Sequence, residues 1–309
     1  MILTVKHLVK TYPVQRTLSK KILGRGYGKK EKKTVLKGLN LELEAGVYAL
    51  LGPNGAGKST FMNLITGNLE PDEGEILYDG QPIAEMGSSF REILGFMPQQ
   101  QGLYENFTAF RFLSYMAALK GMSKEQAKRE IPWALDRVHL TKEAHQKIGA
   151  FSGGMKQRLL VAQAMMNDPK VLILDEPTAG LDPKERIRIR NVISEIAMGK
   201  IVIFATHVVS DIEQIAREVI LLNDGEILAK ETVDALCERI EGKVFEAEVE
   251  QEAFEQMQKR FLVRGVTKRK GKIAVRFLAE EPPQDISASP SPPDLEDVYI
   301  YLMRPPRKG

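Results

Sequence analysis

The residues Gly52-Pro53-Asn54-Gly55-Ala56-Gly57-Lys58-Ser59 decide the fold, because they match the pattern G-x-x-x-x-G-K-[ST]. An apolar run at 47–51 predicts a strand before them, and residues 60–66 predict a helix after them. A glycine-rich loop in this position turns backbone N–H groups toward phosphate oxygens, and the helix N-terminus adds a favourable dipole. Lys58 would bring positive charge to the β- and γ-phosphates, and the Ser59 hydroxyl would ligate Mg²⁺. The loop and the following Thr60 therefore predict a site for a nucleoside triphosphate.

Composition narrows the class of protein. The chain has 309 residues, enough for two domains, and its 43% hydrophobic and 28% charged residues are typical of a globular protein. The formal net charge of +3 is too small to predict nucleic-acid binding. The single cysteine, Cys237, cannot form an internal disulfide, which favours a cytosolic setting. Apolar runs such as 171–174 are far shorter than the ~18 residues of a membrane-spanning helix, so we do not expect the chain to cross a bilayer.

The hydrophobic pattern predicts an α/β domain over residues 1–242 and a small α+β accessory domain over 243–309. In the first domain, short apolar runs alternate with helical patterns, as in a mostly parallel sheet flanked by helices. Residues 102–168 carry no strand signal and predict an all-helical insert, in which Ser123 and Gln126 form a capping box for a helix over 124–139. In the second, alternation predicts a β-α-β-β unit over 243–279, followed by a Pro/Ser-rich tether at 282–293 and a last helix that Asp294 caps.

Two carboxylates end the apolar strand at 171–174. Parallel sheets hold their ligands at the carboxyl ends of the strands, which is where Asp175 and Glu176 fall. Asp175 is placed to hold Mg²⁺, directly or through water. Because successive residues of a strand point to opposite sides, Glu176 would face the attacking water as a base. Alone, this pair would more often be a capped strand end, but beside the phosphate loop it predicts hydrolysis.

A second anion site is predicted where Ser152-Gly153-Gly154 opens the helical run 155–166. A helix cap alone would explain these residues locally. The order of the motifs changes this interpretation, since the chain presents in succession the phosphate loop, Gln99, Phe151 with Ser152-Gly153-Gly154, Asp175-Glu176, Ala179-Gly180-Leu181-Asp182 and His207. Over about residues 1–235 the chain resembles the nucleotide-binding subunits of ATP-binding cassette (ABC) transporters.

The resemblance implies a P-loop NTPase fold with a mostly parallel sheet, an antiparallel β subdomain and a helical insert. It implies a head-to-tail dimer of two copies, in which the phosphate loop of one chain and residues 152–154 of the other hold each ATP with Mg²⁺. Gln99 matches a glutamine that touches Mg²⁺ and the attacking water and senses a membrane partner. His207 matches a histidine that contacts the γ-phosphate, and Asp182 closes a loop that joins the two ATP sites.

The chain departs from the family pattern at two places. Met155 replaces the glutamine that ends the motif Leu-Ser-Gly-Gly-Gln, and a thioether is only a weak hydrogen-bond acceptor. The aromatic residue that stacks on adenine is Tyr12 or Tyr27, because an insertion rich in Lys and Arg separates the first strand from the phosphate loop; we favour Tyr12, which ends the strand. Gln100 and Gln101 leave the register of the glutamine loop open by one or two residues.

The expected partner is a separately encoded transmembrane permease, which would place the chain on the cytoplasmic face of the cell membrane. The ending Pro293-Asp294-Leu295-Glu296-Asp297 resembles the close of many exporter ATPases and favours export over import. Basic segments at 16–33 and 264–276 are interpreted as solvated surface, with contact to lipid headgroups as the alternative and nucleic acid not expected. Two other functions stay open on sequence alone, a soluble ABC ATPase in DNA repair or translation and a P-loop kinase.

Overall fold

The computed structural model describes residues 1–13, 32–99, 102–269 and 272–304, and it divides into two compact units, Met1–Ala229 and Lys230–Gly309. The sequence placed this division later, at Gly242. The physical reason for the earlier division is the helix Val233–Glu238, which packs against the last helix of the chain, Leu295–Leu302, and buries Leu236. A helix that packs on the end of the second unit belongs to that unit.

Strands in the first unit build two sheets. In chain order they are β1 (Leu3–Pro13), β2 (Lys32–Leu43), β3 (Gly46–Leu51), β4 (Glu73–Tyr78), β5 (Gln81–Pro82), β6 (Leu94–Met97), β7 (Val171–Asp175), β8 (Ile201–Ala205), β9 (Glu218–Asn223) and β10 (Glu226–Glu231), which runs past the division. The larger sheet has the order β10-β9-β3-β8-β7-β6, and β3, β6, β7, β8 and β9 pair in parallel. The smaller sheet, β2-β1-β4-β5, is antiparallel. This confirms the predicted mostly parallel sheet and the antiparallel subdomain.

Helices of the first unit surround these sheets. Within the described residues they are α1 (Lys58–Ile65), α2 (Ile83–Met86), α3 (Ser88–Ile93), α4 (Ala109–Leu119), α5 (Lys124–Arg137), α6 (Gly153–Met165), α7 (Pro183–Ile196) and α8 (Val209–Ile215). Between β6 and β7 the described residues contain α4, α5, a 3₁₀ turn and α6, and no ladder strand. The predicted capping box of α5 is confirmed, because the Ser123 hydroxyl accepts from Gln126 N while the Gln126 side chain accepts from Ser123 N.

One core joins the two sheets of the first unit. Leu3 and Leu8 of β1, Leu50 of β3 and Ile173 of β7 are fully buried in it, together with Phe61 of α1. Helix α1 follows the phosphate loop, and its apolar residues therefore hold it between the antiparallel sheet and the main sheet. This fixes the direction in which the helix N-terminus points.

The second unit has its own sheet and core. Its elements are α9 (Val233–Glu238), β11 (Val244–Val249), α10 (Gln251–Arg260), β12 (Leu262–Arg269), β13 (Lys272–Leu278), β14 (Ala288–Pro290) and α11 (Leu295–Leu302), with the antiparallel order β12-β13-β11-β14. The predicted β-α-β-β succession is confirmed, and so is the Asp294 cap, whose carboxylate accepts from the N–H groups of Glu296 and Asp297. Part of the tether at 282–293 forms a strand, because β14 pairs with β11.

Candidate active site

The phosphate loop joins β3 to α1, and two of its glycines are fixed by their surroundings. A Cβ atom at Gly52 would lie 2.1 Å from the carbonyl oxygen of Leu222, which no side chain can tolerate. Gly57 caps α1 at φ 110°, and a Cβ atom there would lie 2.6 Å from Leu36 Cδ2. The main sheet and β2 therefore press the loop into a turn that only glycine can follow, which leaves its N–H groups at the start of α1.

Lys58 begins α1 and reaches back over the loop. Its Nζ donates to the carbonyl oxygens of Gly52 at 2.6 Å and Pro53 at 3.2 Å. Burial lowers the pKa of Lys58 from its ordinary value, while Glu176 and Asp175 act in the opposite direction. An ammonium group that is partly stripped of water gains more from a phosphate oxygen than an exposed one would.

Asp175 and Glu176 end β7 as the sequence predicted, between the ends of β6 and β8. Burial first, and then the nearby charge of Glu176, raise the pKa of Asp175 to about 6, which Lys58 partly offsets. Glu176 is 7% exposed and has φ 53°, a left-handed backbone that is uncommon for a glutamate. Its N–H donates to the carbonyl oxygen of Ala205 at 2.9 Å, so the end of β8 holds this turn.

His207 and Gln157 hold Glu176 from two sides. His207 Nδ1 lies 3.0 Å from Oε1 and 2.9 Å from Oε2 of the Glu176 carboxylate. The His207 ring is 69% exposed, so it can contact this carboxylate and a bound group together. Gln157 of α6 donates from Nε2 to the backbone oxygen of Glu176 at 3.1 Å, a contact that the sequence alone did not reveal.

Lys58, Asp175 and Glu176 line one cleft of about 300 Å³, whereas His207 and Gln157 contact Glu176 from outside its lining. The described residues that line it are Lys33, Val35, Asn54, Gly55, Gly57, Lys58, Ser59, Thr60, Gln99, Asp175 and Glu176. Lys33 and Val35 of β2 were missed by sequence reasoning. The pairing of β2 with β1 sets Lys33 opposite Tyr12, and Tyr12 itself is not among the residues that line the cleft. Tyr27, Gln100 and Gln101 lie outside the described residues.

Residues 152–154 and Asp182 do not line this cleft. Ser152 caps α6, with its hydroxyl accepting from Met155 N at 3.2 Å, and Ser152 and Gly153 are exposed. Phe151, just before Ser152, is buried at 6% exposure. Asp182 caps α7 by accepting from Glu185 N at 3.0 Å. Within one chain, the predicted second anion site thus consists of groups that lie outside the chain's own cleft, and Ser152 and Gly153 among them are exposed.

The cleft has the donor set that Mg²⁺ prefers. Ser59 supplies a hydroxyl, Gln99 an amide oxygen and Asp175 a carboxylate, all lining the same space. A cation would also relieve the repulsion between Asp175 and Glu176 that raises the pKa of Asp175. Among the described residues no group of three or more His, Cys, Asp or Glu forms a ready metal site. The residues thus fit an ion that shares its coordination with phosphate oxygens, as Mg²⁺ does.

Comparison with known proteins agrees with this geometry. Residues 36–179 match the ABC transporter family. The chain is 39% identical over 203 residues to the uncharacterised ABC transporter ATP-binding protein YxlF of Bacillus subtilis, covering 66% of this chain and 67% of that protein. The chain belongs to the ABC transporter ATP-binding family. It is also 36% identical over 220 residues to the linearmycin resistance ATP-binding protein LnrL of the same species, covering 71% and 70% of the two chains.

Two further similarities bear on the activity of this chain. The Nod factor export ATP-binding protein I of Rhizobium is 37% identical over 213 residues, which is 67% of this chain and 68% of that protein. A post-hydrolysis dimer of the ATP-binding cassette MJ0796 with ADP and Pi superposes with a TM-score of 0.62 at 28% identity, covering 74% of this chain and 98% of that one. This chain is an ATP-binding and hydrolysing subunit of an ABC transporter. Every helix in its described part is too short or too polar to span a membrane.

Proposed function

We propose that this ATPase drives an exporter, with a separately encoded permease carrying the substrate across the membrane. The observation that carries the mechanism is the placement of Glu176, which lies at the cleft that contains Lys58 and is held by His207. Two relatives are named for resistance or export, which supports the exporter branch. No relative named above is named for DNA repair or translation, so the comparisons give the soluble alternative no support.

The chemistry follows from the positions of six side chains. Lys58 and the loop N–H groups bind and orient the β- and γ-phosphates. Asp175, Ser59 and Gln99 would hold Mg²⁺, which when bound neutralises phosphate charge. Glu176 accepts a proton from water as the water oxygen forms a bond to the γ-phosphorus. The bond from the γ-phosphorus to the bridging oxygen breaks, which releases ADP and phosphate, while His207 keeps the Glu176 carboxylate in place.

The second anion site supports a dimer. Ser152 and Gly153 are exposed and lie at the N-terminus of α6, outside the chain's own cleft. In a head-to-tail pair of chains they would bind the γ-phosphate held by the partner's phosphate loop. MgATP would then bridge two chains, and hydrolysis would release them.

Helix α4 and the residues just before it offer a surface for the permease. Tyr104 and Tyr115 are 49% and 41% exposed, and Phe107 stacks on Tyr104 with ring centroids 4.9 Å apart. The guanidinium of Arg111 lies 4.2 Å from the centre of the Phe107 ring. Exposed aromatic side chains that follow Gln99 in the sequence are suited to a protein contact. Gln99 would couple that contact to the ATP site. This surface supports our proposal that the protein works at the cytoplasmic face of the cell membrane.

The experiment that tests this function uses Glu176→Gln. The amide keeps the shape of the side chain and cannot accept a proton, so ATP should bind and persist. Size-exclusion chromatography with MgATP should show the variant at twice the monomer mass, and phosphate release should stop. Glu195→Gln, at an exposed position on α7, is the matched control and should behave as the unmodified chain. Normal turnover by Glu176→Gln would remove Glu176 from the mechanism.

A second experiment tests the permease surface. Replacing Tyr104 and Tyr115 together by Ala should leave ATP hydrolysis by the isolated chain within about twofold, because neither residue lines the cleft. Co-purification with a co-expressed transmembrane permease should fall strongly. Trp133→Ala, which alters an exposed aromatic residue on α5, is the control. Unchanged co-purification would place the permease contact elsewhere.

A further inference from the structure

Glu185 lies in the first turn of α7, between the two segments assigned above to the partner's nucleotide. Its backbone N–H donates to the carboxylate of Asp182 at 3.0 Å, which caps α7. Its side chain is only 14% exposed and packs against Gly154 near the start of α6. One residue thus contacts both the loop that ends at Asp182 and the anion site at residues 152–154.

Glu185 also explains why Gly154 is glycine. A Cβ atom at Gly154 would lie 2.7 Å from Glu185 Cγ and 2.7 Å from its Oε2. A Cβ atom at the neighbouring Gly153 would meet nothing within 4 Å. Gly154 is buried, whereas Ser152 and Gly153 are exposed. The glutamate side chain therefore fills the space into which a side chain at position 154 would project.

Two arginines keep Glu185 in that space. Arg158 of α6 has its Nε 3.2 Å from Glu185 Oε2, and Arg188 of α7 pairs with Oε1. The Arg158 side chain is 8% exposed, and its Nη1 donates to the carbonyl oxygens of Val138 at 3.0 Å and His139 at 3.3 Å, where α5 ends. If the carboxylate moved away, it would leave a buried guanidinium without its anion, which is strongly unfavourable.

We propose that Glu185 is a positioning residue of the shared ATP site: through Arg158, Gly154 and the cap at Asp182 it holds the starts of α6 and α7 in one arrangement. This inference rests on the proposed head-to-tail dimer. Its consequence is specific, because Glu185 lies outside the cleft that binds the chain's own nucleotide. Loss of Glu185 should weaken the binding of one chain to the nucleotide held by the other. The affinity of each monomer for ATP in its own cleft should stay unchanged.

The first test compares Glu185→Gln with Glu195→Gln, both placed in the full chain that carries Glu176→Gln. Glu195 is on the same helix, 59% exposed and 3.9 Å from Arg137, so it is a matched control. The ATP concentration for half-maximal dimerisation should rise at least about tenfold for Glu185→Gln only, because the buried pair loses its charge. Binding of a fluorescent ATP analogue to dilute monomer should stay within about twofold. A purely structural role would lower the melting temperature without separating these two constants.

The second test is a rescue. Gly154→Ala alone should weaken ATP-dependent dimerisation at least about tenfold, because it displaces Glu185. Added to a chain that already carries Glu185→Ala, it should cost less than about threefold, because the side chain it would strike is gone. Equal losses in both backgrounds would show that Gly154 serves another purpose and would overturn the packing argument.

Each remaining outcome decides one of the two proposals. If the parent Glu176→Gln chain forms no dimer with MgATP, the proposed function fails before Glu185 is tested. If the parent dimerises and Glu185→Gln dimerises equally well, the function stands and the positioning role is wrong. Should Glu185→Gln be insoluble, Glu185→Asp replaces it, since it keeps the charge but withdraws the carboxylate from Gly154 and Arg158. Full dimerisation by Glu185→Asp would also overturn the proposal.

Discussion

At the scale of single residues, the site contains a carboxyl group whose ionisation destabilises the folded chain. The pKa of Asp175 is raised to about 6, mainly by burial and then by Glu176. At pH values between the ordinary pKa of 3.8 and about 6, this carboxyl group is ionised in the unfolded chain and still largely protonated in the folded chain. The free energy of unfolding therefore loses this contribution as the pH rises through that window. A ligand cation would restore it, which connects stability to function at this position.

We therefore expect Asp175→Asn to raise the melting temperature of the nucleotide-free chain at pH 8. The gain should be smaller at pH 5 and should vanish below the ordinary pKa, where both states carry the proton. The same variant should bind MgATP more weakly, since it removes an anionic oxygen ligand. Thermal unfolding at the two pH values, with MgATP titrations alongside, measures both effects. An equal gain at pH 5 and pH 8 would contradict the assigned shift.

Lys58→Ala tests the phosphate loop directly. We expect at least about tenfold weaker ATP binding, because a charge-assisted contact to the phosphates is removed. Lys128→Ala, at an exposed position on α5, is the control for loss of one positive charge. Isothermal titration at fixed salt gives both affinities. Unchanged affinity of Lys58→Ala would mean that the loop does not bind nucleotide as assigned.

At the scale of elements, the sequence predicted those parts that depend on near neighbours. Strand β7 with its terminal acids, the capping box of α5 and the Asp294 cap of α11 each follow from a local pattern, and each is present. Lys33 and Val35 were missed because their place at the cleft depends on the register between β1 and β2 across the intervening residues 14–31. Glu185 was missed for the same reason, since its contact with Gly154 joins two helices separated by β7.

The division after Ala229 gives an element-scale prediction. A chain that ends at Glu231 keeps all of β10 and omits α9, whereas a chain that ends at Gly242 keeps α9 without α11. Leu236 and Ile240 are fully buried in the whole chain. The chain that ends at Gly242 lacks α11, the helix against which α9 packs. We expect the chain 1–231 to be the more soluble of the two and to bind MgATP.

Sedimentation of the two truncated chains at equal concentration measures their solubility, and MgATP titration measures the site. Leu236→Ser in the chain 1–242 should recover part of the solubility, because it removes an exposed apolar group. If the chain 1–231 precipitates while 1–242 stays soluble, α9 belongs with the catalytic unit instead.

At the scale of the whole molecule, the prediction is that one ATP site needs two chains. A Lys58→Ala chain lacks phosphate charge, and a Gly153→Asp chain carries a carboxylate where the partner's γ-phosphate should lie. A Cβ atom at Gly153 would have open space around it for 4 Å, so the second change should not disturb its own chain. Each chain alone should therefore fold and be inactive, which equal melting temperatures would verify.

Mixing the two inactive chains should restore hydrolysis. In a head-to-tail pair, one site of the mixed dimer has both defects and the other has neither, so random pairing should return about a quarter of the unmodified activity per chain. If residues 152–154 served only their own chain, mixing would restore nothing. Since a requirement for two intact sites would also give no turnover, cysteines at Ser59 and Ser152 in a Cys237→Ser background provide the second readout. Absence of both turnover and an ATP-dependent crosslink between chains would exclude the shared site, because the two segments would then never meet.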